Sequence, residues 1–311
     1  MGAILSYTKD FLAKEFNPGY FLTNGFFLAA AVFLNYHFDF ERQVTRLYYG
    51  TPLLMAFYFL FYAVPFLFSV LTYAYWYKKY EFLRSYQFWI LSLYALLILS
   101  FNGGFFYHIQ PVKELVIPEL QYFVLRCMNN LNSSVIYFVL ITAYWIVKDR
   151  REMKLYGFQS ELFDFRPFLH LLLLALPFII LASFQGEFLQ KYPRYTDRAF
   201  ADHHHISTIV PTLAFEFFYG LDFISTEFFF RGFMVLAFMR FLGRGAVFPM
   251  VTLYAFLHFE KPLAEAVSSI FGGLVLGIIS YSTRSIYGGI MVHLGVAWMM
   301  EIAAFLQMYR H

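Results

Sequence analysis

The sequence predicts an all-α fold: a polytopic membrane helix bundle of about eight to nine transmembrane helices. Three observations carry this. Of 311 residues, 60% are hydrophobic and only 14% charged, whereas soluble domains carry about 25% charged residues. The mean hydropathy is +0.57. The apolar residues run in stretches of about 20, the length of a membrane-crossing helix, and not in the ~10-residue alternating segments of a membrane barrel. The 43 Phe and 25 Tyr suit helices that touch lipid and its interfaces.

In chain order, nine apolar segments are read, at about 20–36, 52–77, 86–101, 122–147, 167–184, 208–239, 246–259, 264–283 and 286–308. The first and seventh are short enough to be re-entrant. The sixth is long enough to tilt or break, with Gly220 as its expected weak point. Ahead of them, MGAILSYTKDFLAKEF spaces its apolar residues as a short amphipathic helix lying at the interface, without the features of a cleavable signal peptide. Gly2 and Ser6 also fit the short N-myristoylation pattern, which requires a eukaryotic transferase.

Lys and Arg in the short loops set the orientation. Lys78, Lys79 and Arg84, then Lys148, Arg150, Arg151, Lys154 and Arg166, then Arg240 and Arg244 all alternate onto the side that holds Lys9 and Lys14. That side, with the N-terminus, is expected to be cytoplasmic. A net charge of +3 gives no reason to expect nucleic acid as a partner. The lone Cys127 excludes an intrachain disulfide.

Polar residues inside apolar segments stand out because they are costly there. Arg126, Asn129, Asn130 and Asn132 in the fourth segment read as interhelical hydrogen bonding, with a cavity lining as the sharper alternative. The tract His203, His204, His205 reads as a solvated loop, with metal binding as the alternative. The stretch ISTEFFFRGF, Ile224 to Phe233, is the most informative. Glu227 and Arg231 are four residues apart, hence on one helix face where they can pair. His258 and His293 follow, each alone in a later apolar segment.

Depth brings these four together. Glu227 and Arg231 precede Arg240 by ~20 and ~14 Å of helix; His258 follows Ala246 by ~18 Å, and His293 follows Arg284 by ~14 Å. All four fall in the middle slab of the membrane. Gly272, Gly273 and Gly277, with Ser268 and Ser269, and then Gly288, Gly289 and Gly295, allow the last helices to approach closely. A carboxylate near imidazole can take a proton from water, and His or Arg can stabilise an oxyanion. This set suits hydrolysis. It also suits a zinc site on Glu227, His258 and His293, or a proton relay of the transporter kind. The plain alternative is a buried ion pair with two packing histidines.

At these residues the chain resembles the CAAX protease and bacteriocin-processing (CPBP, Abi-like) family of intramembrane proteases. The family pattern is two adjacent glutamates, then arginine after three intervening residues, then Phe-x-x-x-His, then His-x-x-x-Asn. Here the motifs read Thr226-Glu227-Phe-Phe-Phe-Arg231-Gly232, Tyr254-Ala-Phe-Leu-His258 and His293-Leu-Gly-Val-Ala297. The resemblance covers about 208–308 and departs from the pattern at Thr226 and Ala297. A change in texture near residue 205, where polar residues begin to recur at comparable depth, suggests an accessory set of membrane helices over 1–205 and a CAAX-protease-like four-helix core over 206–311, in one integral membrane unit.

The resemblance implies an intramembrane endopeptidase that hydrolyses a peptide bond at the membrane with Glu/His-activated water. Glu227 is then the base, His258 positions the water, His293 stabilises the oxyanion and Arg231 keeps Glu227 ionised. Asp222, Glu260 or Glu301 are the acids available to stand in for the missing glutamate. No cofactor is required in this reading; zinc enters only in the metal reading. The partners are the lipid bilayer and a membrane-associated protein or peptide substrate. The alternative is a catalytically inactive member acting as a binding, immunity or scaffold subunit of a membrane protein complex, motivated by Thr226 and Ala297. A transporter reading is weaker, because no pair of discontinuous helices appears in corresponding halves.

Overall fold

A computed structural model describes residues 2–159 and 164–308, and the described residues are helical with no strand. The N-terminal helix α1 (Gly2–Glu15) lays Ile4 and Phe11 on the bundle. Helix α2 (Pro18–Phe38) starts at an N-cap, where the Asn17 side chain accepts from the Tyr20 N–H at 3.1 Å and Pro18 opens the first turn. It stops at Asp39, which adopts the left-handed conformation and leads into the short α3 (Phe40–Tyr48). Helices α4 (Leu53–Tyr77) and α5 (Tyr86–Gly103) form the next pair; α4 ends on left-handed Lys78 and α5 begins at the Ser85 cap.

After a short α6 (Ile109–Leu115) come α7 (Pro118–Tyr144), α8 (Arg166–Ala182) and two short surface helices, α9 (Gly186–Lys191) and α10 (Ala199–His204). The last third holds α11 (Ile209–Glu227), a π-helical stretch (Phe228–Ala237), α12 (Met239–Leu242), α13 (Val247–Leu257), α14 (Leu263–Thr283) and α15 (Tyr287–Met308). Among the described residues, seven stretches are long and apolar enough to cross a membrane; α8, at 17 residues, is shorter.

Helix α13 sits at the centre. Its residues from Val247 to Phe256 are all buried, against α4, α14 and the π-helical stretch. At 11 residues it rises only ~16 Å, about half a membrane. It remains a short segment, as its length implied, while the first segment proves to be a full 21-residue helix. Gly220, the expected weak point of the sixth segment, does not break it: α11 runs through it, and the winding changes at Phe228 instead. One apolar core runs from Phe11 to Ile290, so the early helices and the last third share their packing.

The basic turns gather at one end of the bundle. Arg244 pairs with Asp10 at 3.4 Å, Arg240 holds Asp149 through two bonds of 2.7 and 3.1 Å, and the Gln159 amide donates to the Arg284 carbonyl at 2.6 Å. Tyr77 donates to the Glu15 carbonyl at the same end. The opposite end holds the loop after His258. There the Asn35 amide donates to the Phe259 carbonyl at 3.2 Å and Tyr36 donates to the Lys261 carbonyl at 2.6 Å.

Candidate active site

The polar centre is built where α11 gives way to the π-helical stretch. Glu227 is the last α-helical residue, and the wider i→i+5 winding begins at Phe228. Such bulges recur at functional sites because they free backbone groups and re-aim side chains. Here the Arg231 carbonyl accepts from the Ser280 hydroxyl of α14 at 2.9 Å. That bond ties the stretch to the glycine-rich helix.

Glu227 and Arg231 are both fully buried. Glu227 Oε1 accepts two charge-assisted bonds, from Arg231 Nη1 at 2.8 Å and from His293 Nδ1 at 2.8 Å. Its other oxygen, Oε2, lies against Gly289, where any side chain would collide with it. The Arg231 guanidinium stacks over the Tyr254 ring at 4.0 Å, a cation–π contact worth about 2 kcal/mol when desolvated. Both partners thus meet the same oxygen, Oε1, while Glu227 Oε2 and Arg231 Nε and Nη2 are buried without a hydrogen-bond partner, so the pair keeps part of its desolvation cost.

Tyr254 joins the remaining parts. Its hydroxyl meets His293 Nε2 at 3.1 Å, and its backbone carbonyl accepts from His258 Nδ1 at 2.8 Å. The close approach of Gly273 to the ring, 3.0 Å from a Cβ placed there, holds it in position. The two imidazoles stand with ring centres 6.5 Å apart, and Phe223 packs edge-on to His293 at 4.5 Å. His293 retains 14% side-chain exposure.

The bonds fix the tautomers. A carbonyl and a carboxylate only accept, so His258 and His293 both carry hydrogen on Nδ1. In the neutral rings each Nε2 is then a lone pair. His293 Nε2 accepts from Tyr254.

The four residues expected from the sequence therefore assemble as follows. Glu227, Arg231 and His293 are in direct contact, and His258 joins them through Tyr254. Of the acids considered as stand-ins, Asp222 lies on α11 with its Oδ1 buried and without a hydrogen-bond partner. Glu260 is exposed, and Glu301 Oε2 accepts from the Arg194 backbone N–H at 2.9 Å. Thr226 is buried, and Ala297 packs among Cys127, Tyr195, Phe215 and Tyr219. Arg126 and Asn129 make the local bonds of a packed bundle, to the Arg194 carbonyl at 2.6 Å and to His108 at 2.6 Å. The tract His203 to His205 is exposed.

A metal centre does not fit this donor set. Among the described residues no three His, Cys, Asp or Glu side chains group so as to hold a metal ion. Glu227 Oε1 faces Arg231 and His293, and His258 Nδ1 faces a carbonyl.

Fold and site together define a multi-span α-helical membrane protein with a carboxylate, an arginine and two imidazoles buried at its centre. Residues 208–299 match the family model of Rce1-like type II CAAX prenyl endopeptidases. The resemblance seen in the three motifs is borne out over this third of the chain. No curated protein and no solved structure matches the chain.

Proposed function

We propose that the chain is an intramembrane endopeptidase that hydrolyses a peptide bond with water held between His258 and His293. The observation that carries this is the 2.8 Å bond from His293 Nδ1 to a fully buried, arginine-paired Glu227, with the His258 ring centre 6.5 Å from that of His293.

The tautomers support a division of labour that differs from the first expectation. Glu227 Oε1 is committed to His293 and Arg231, and Oε2 is packed on Gly289. Glu227 therefore acts through His293: it orients the ring and stabilises the imidazolium, as the buried carboxylate of a catalytic triad does. His293 Nε2 takes the proton from water, and His258 Nε2 accepts the water's other hydrogen and aims it. Arg231 balances the Glu227 charge. The end bearing Arg240, Arg244 and the N-terminal helix is placed in the cytoplasm, on the excess of Lys and Arg in its turns. The helices up to 205 serve as an accessory set that braces the 206–311 core.

Reconstituted protein tests the reading on membrane-anchored peptides. Wild type cleaves; Glu227→Ala and His258→Ala each lose ~10³-fold or more. Cleavage that survives both changes ends the mechanism.

A second reading, a non-catalytic binding or scaffold subunit, is favoured by Thr226 and Ala297. It expects a stoichiometric partner after gentle detergent extraction and no cleavage. A protein that runs alone yet cuts peptide eliminates it.

A further inference from the structure

We infer that Tyr254 is a catalytic residue: its hydroxyl is the hydrogen-bond donor to the oxyanion formed as the peptide carbonyl is attacked. The inference rests on the endopeptidase reading and assigns a group that the reading leaves open.

An oxyanion in a dry site needs a donor. Arg231 Nε and Nη2 have no hydrogen-bond partner but belong to the guanidinium stacked on the Tyr254 ring, and the imidazole N–H groups are taken. His293 Nδ1–H is bonded to Glu227, and His258 Nδ1–H to a backbone carbonyl. Each Nε2 is an acceptor in the neutral ring. Ala297, one turn past His293, has no polar atom and packs in an apolar cluster. Tyr254 lies between the two imidazoles and carries an O–H: its ring centre is 4.4 Å from that of His258 and 5.8 Å from that of His293. Its position is fixed by Arg231 on one face, by the edge-on Phe230 ring at 5.2 Å and by the close pass of Gly273. The guanidinium over the ring draws electron density from the phenol and strengthens the O–H as a donor.

The resting bond makes the donor available at the right moment. With His293 neutral, Tyr254 O–H donates to Nε2 at 3.1 Å. The phenol hydrogen first turns from Nε2 to the substrate carbonyl oxygen, which frees the Nε2 lone pair. Water's oxygen then bonds to the carbonyl carbon, its proton passes to Nε2, and the carbonyl π pair moves onto the oxygen that Tyr254 already holds. The phenol hydrogen stays on Tyr254 throughout. Collapse re-forms the carbonyl and breaks the C–N bond, and Nε2–H hands its proton to the departing amine.

The test uses the full-length protein in lipid nanodiscs with a library of palmitoyl-anchored fluorogenic peptides. Tyr254→Phe is expected to lower kcat by ~10²–10³-fold with KM within about twofold, the loss typical of one oxyanion donor. Adding Ala297→Asn to Tyr254→Phe supplies a new donor and restores at least about tenfold. Replacing Tyr254 by 3,5-difluorotyrosine, whose phenol is more acidic, moves the alkaline limb of the pH–rate profile to lower pH, which a packing role would not do.

Wild-type kcat in Tyr254→Phe, or an unmoved alkaline limb, overturns the inference and leaves the peptidase reading standing. A wild type that cuts no peptide removes both. If Tyr254→Phe fails to fold, the fluorinated protein decides alone.

Discussion

Gly289 lies flat against the Glu227 carboxylate, so close that a Cβ at position 289 would overlap Oε2. The glycine on α15 is therefore part of how the acid is seated: it presses Oε2 aside and leaves Oε1 to His293 and Arg231. Gly289→Ala forces the carboxylate or the helix to move. We expect a stability loss of about 1–3 kcal/mol, as for other overpacked cores, and a larger proportional loss of peptide cleavage. Thermal unfolding in detergent and the cleavage assay read the two separately.

Glu227→Gln leaves Arg231 buried and uncompensated. Breaking a buried ion pair from one side costs about 3–5 kcal/mol. Removing both charges, in Glu227→Gln with Arg231→Met, is expected to recover most of that stability while cleavage stays absent. Unfolding midpoints of the two variants give the answer; equal midpoints would contradict the pairing.

Asn35 links two parts of the chain far apart in sequence. Its carboxamide oxygen accepts from the Glu41 N–H at 3.0 Å, and its amide donates to the Phe259 carbonyl, one residue after His258. Asn35→Leu strands both groups, at about 1–3 kcal/mol each for unsatisfied buried polar atoms. Faster amide exchange confined to the turn around His258 and the start of α3 is the expected signature.

The Glu41 carboxyl, outside the membrane spans, is held well above its usual range by burial first and then by the nearby Glu260 charge. A raised folded-state value means that the unfolded chain ionises first as pH rises. Stability is then greatest below about pH 4.5 as far as this group is concerned, and falls as pH climbs above it towards the folded value. Glu41→Gln should flatten this dependence and raise the unfolding midpoint near neutral pH. A variant that melts below wild type at pH 8 would refute the account.

Much of the helix map was legible because its signals are local. The eighth segment, read as 264–283, is α14 over Leu263–Thr283, since Pro262 cannot continue the preceding helix and Arg284 takes the left-handed stop. The pairing of Glu227 with Arg231 was legible for the same reason, as a spacing of four along one helix. That the two histidines belong with them was legible only as a coincidence of depth.

Hydropathy, charge and spacing by themselves determined a multi-span helical bundle and gave its acid, arginine and imidazoles a similar expected depth, because each reflects the cost of a polar group in hydrocarbon or the pitch of one helix. Only the tertiary structure decided which atoms meet. His293 reaches Glu227 across 66 residues, Glu301 turns to the Arg194 backbone instead, and Tyr254 becomes the link between the imidazoles. Those choices depend on how closely α13, α14 and α15 pack around the π-helical turn. Packing of that kind is set by side chains far apart in sequence, which no local periodicity records.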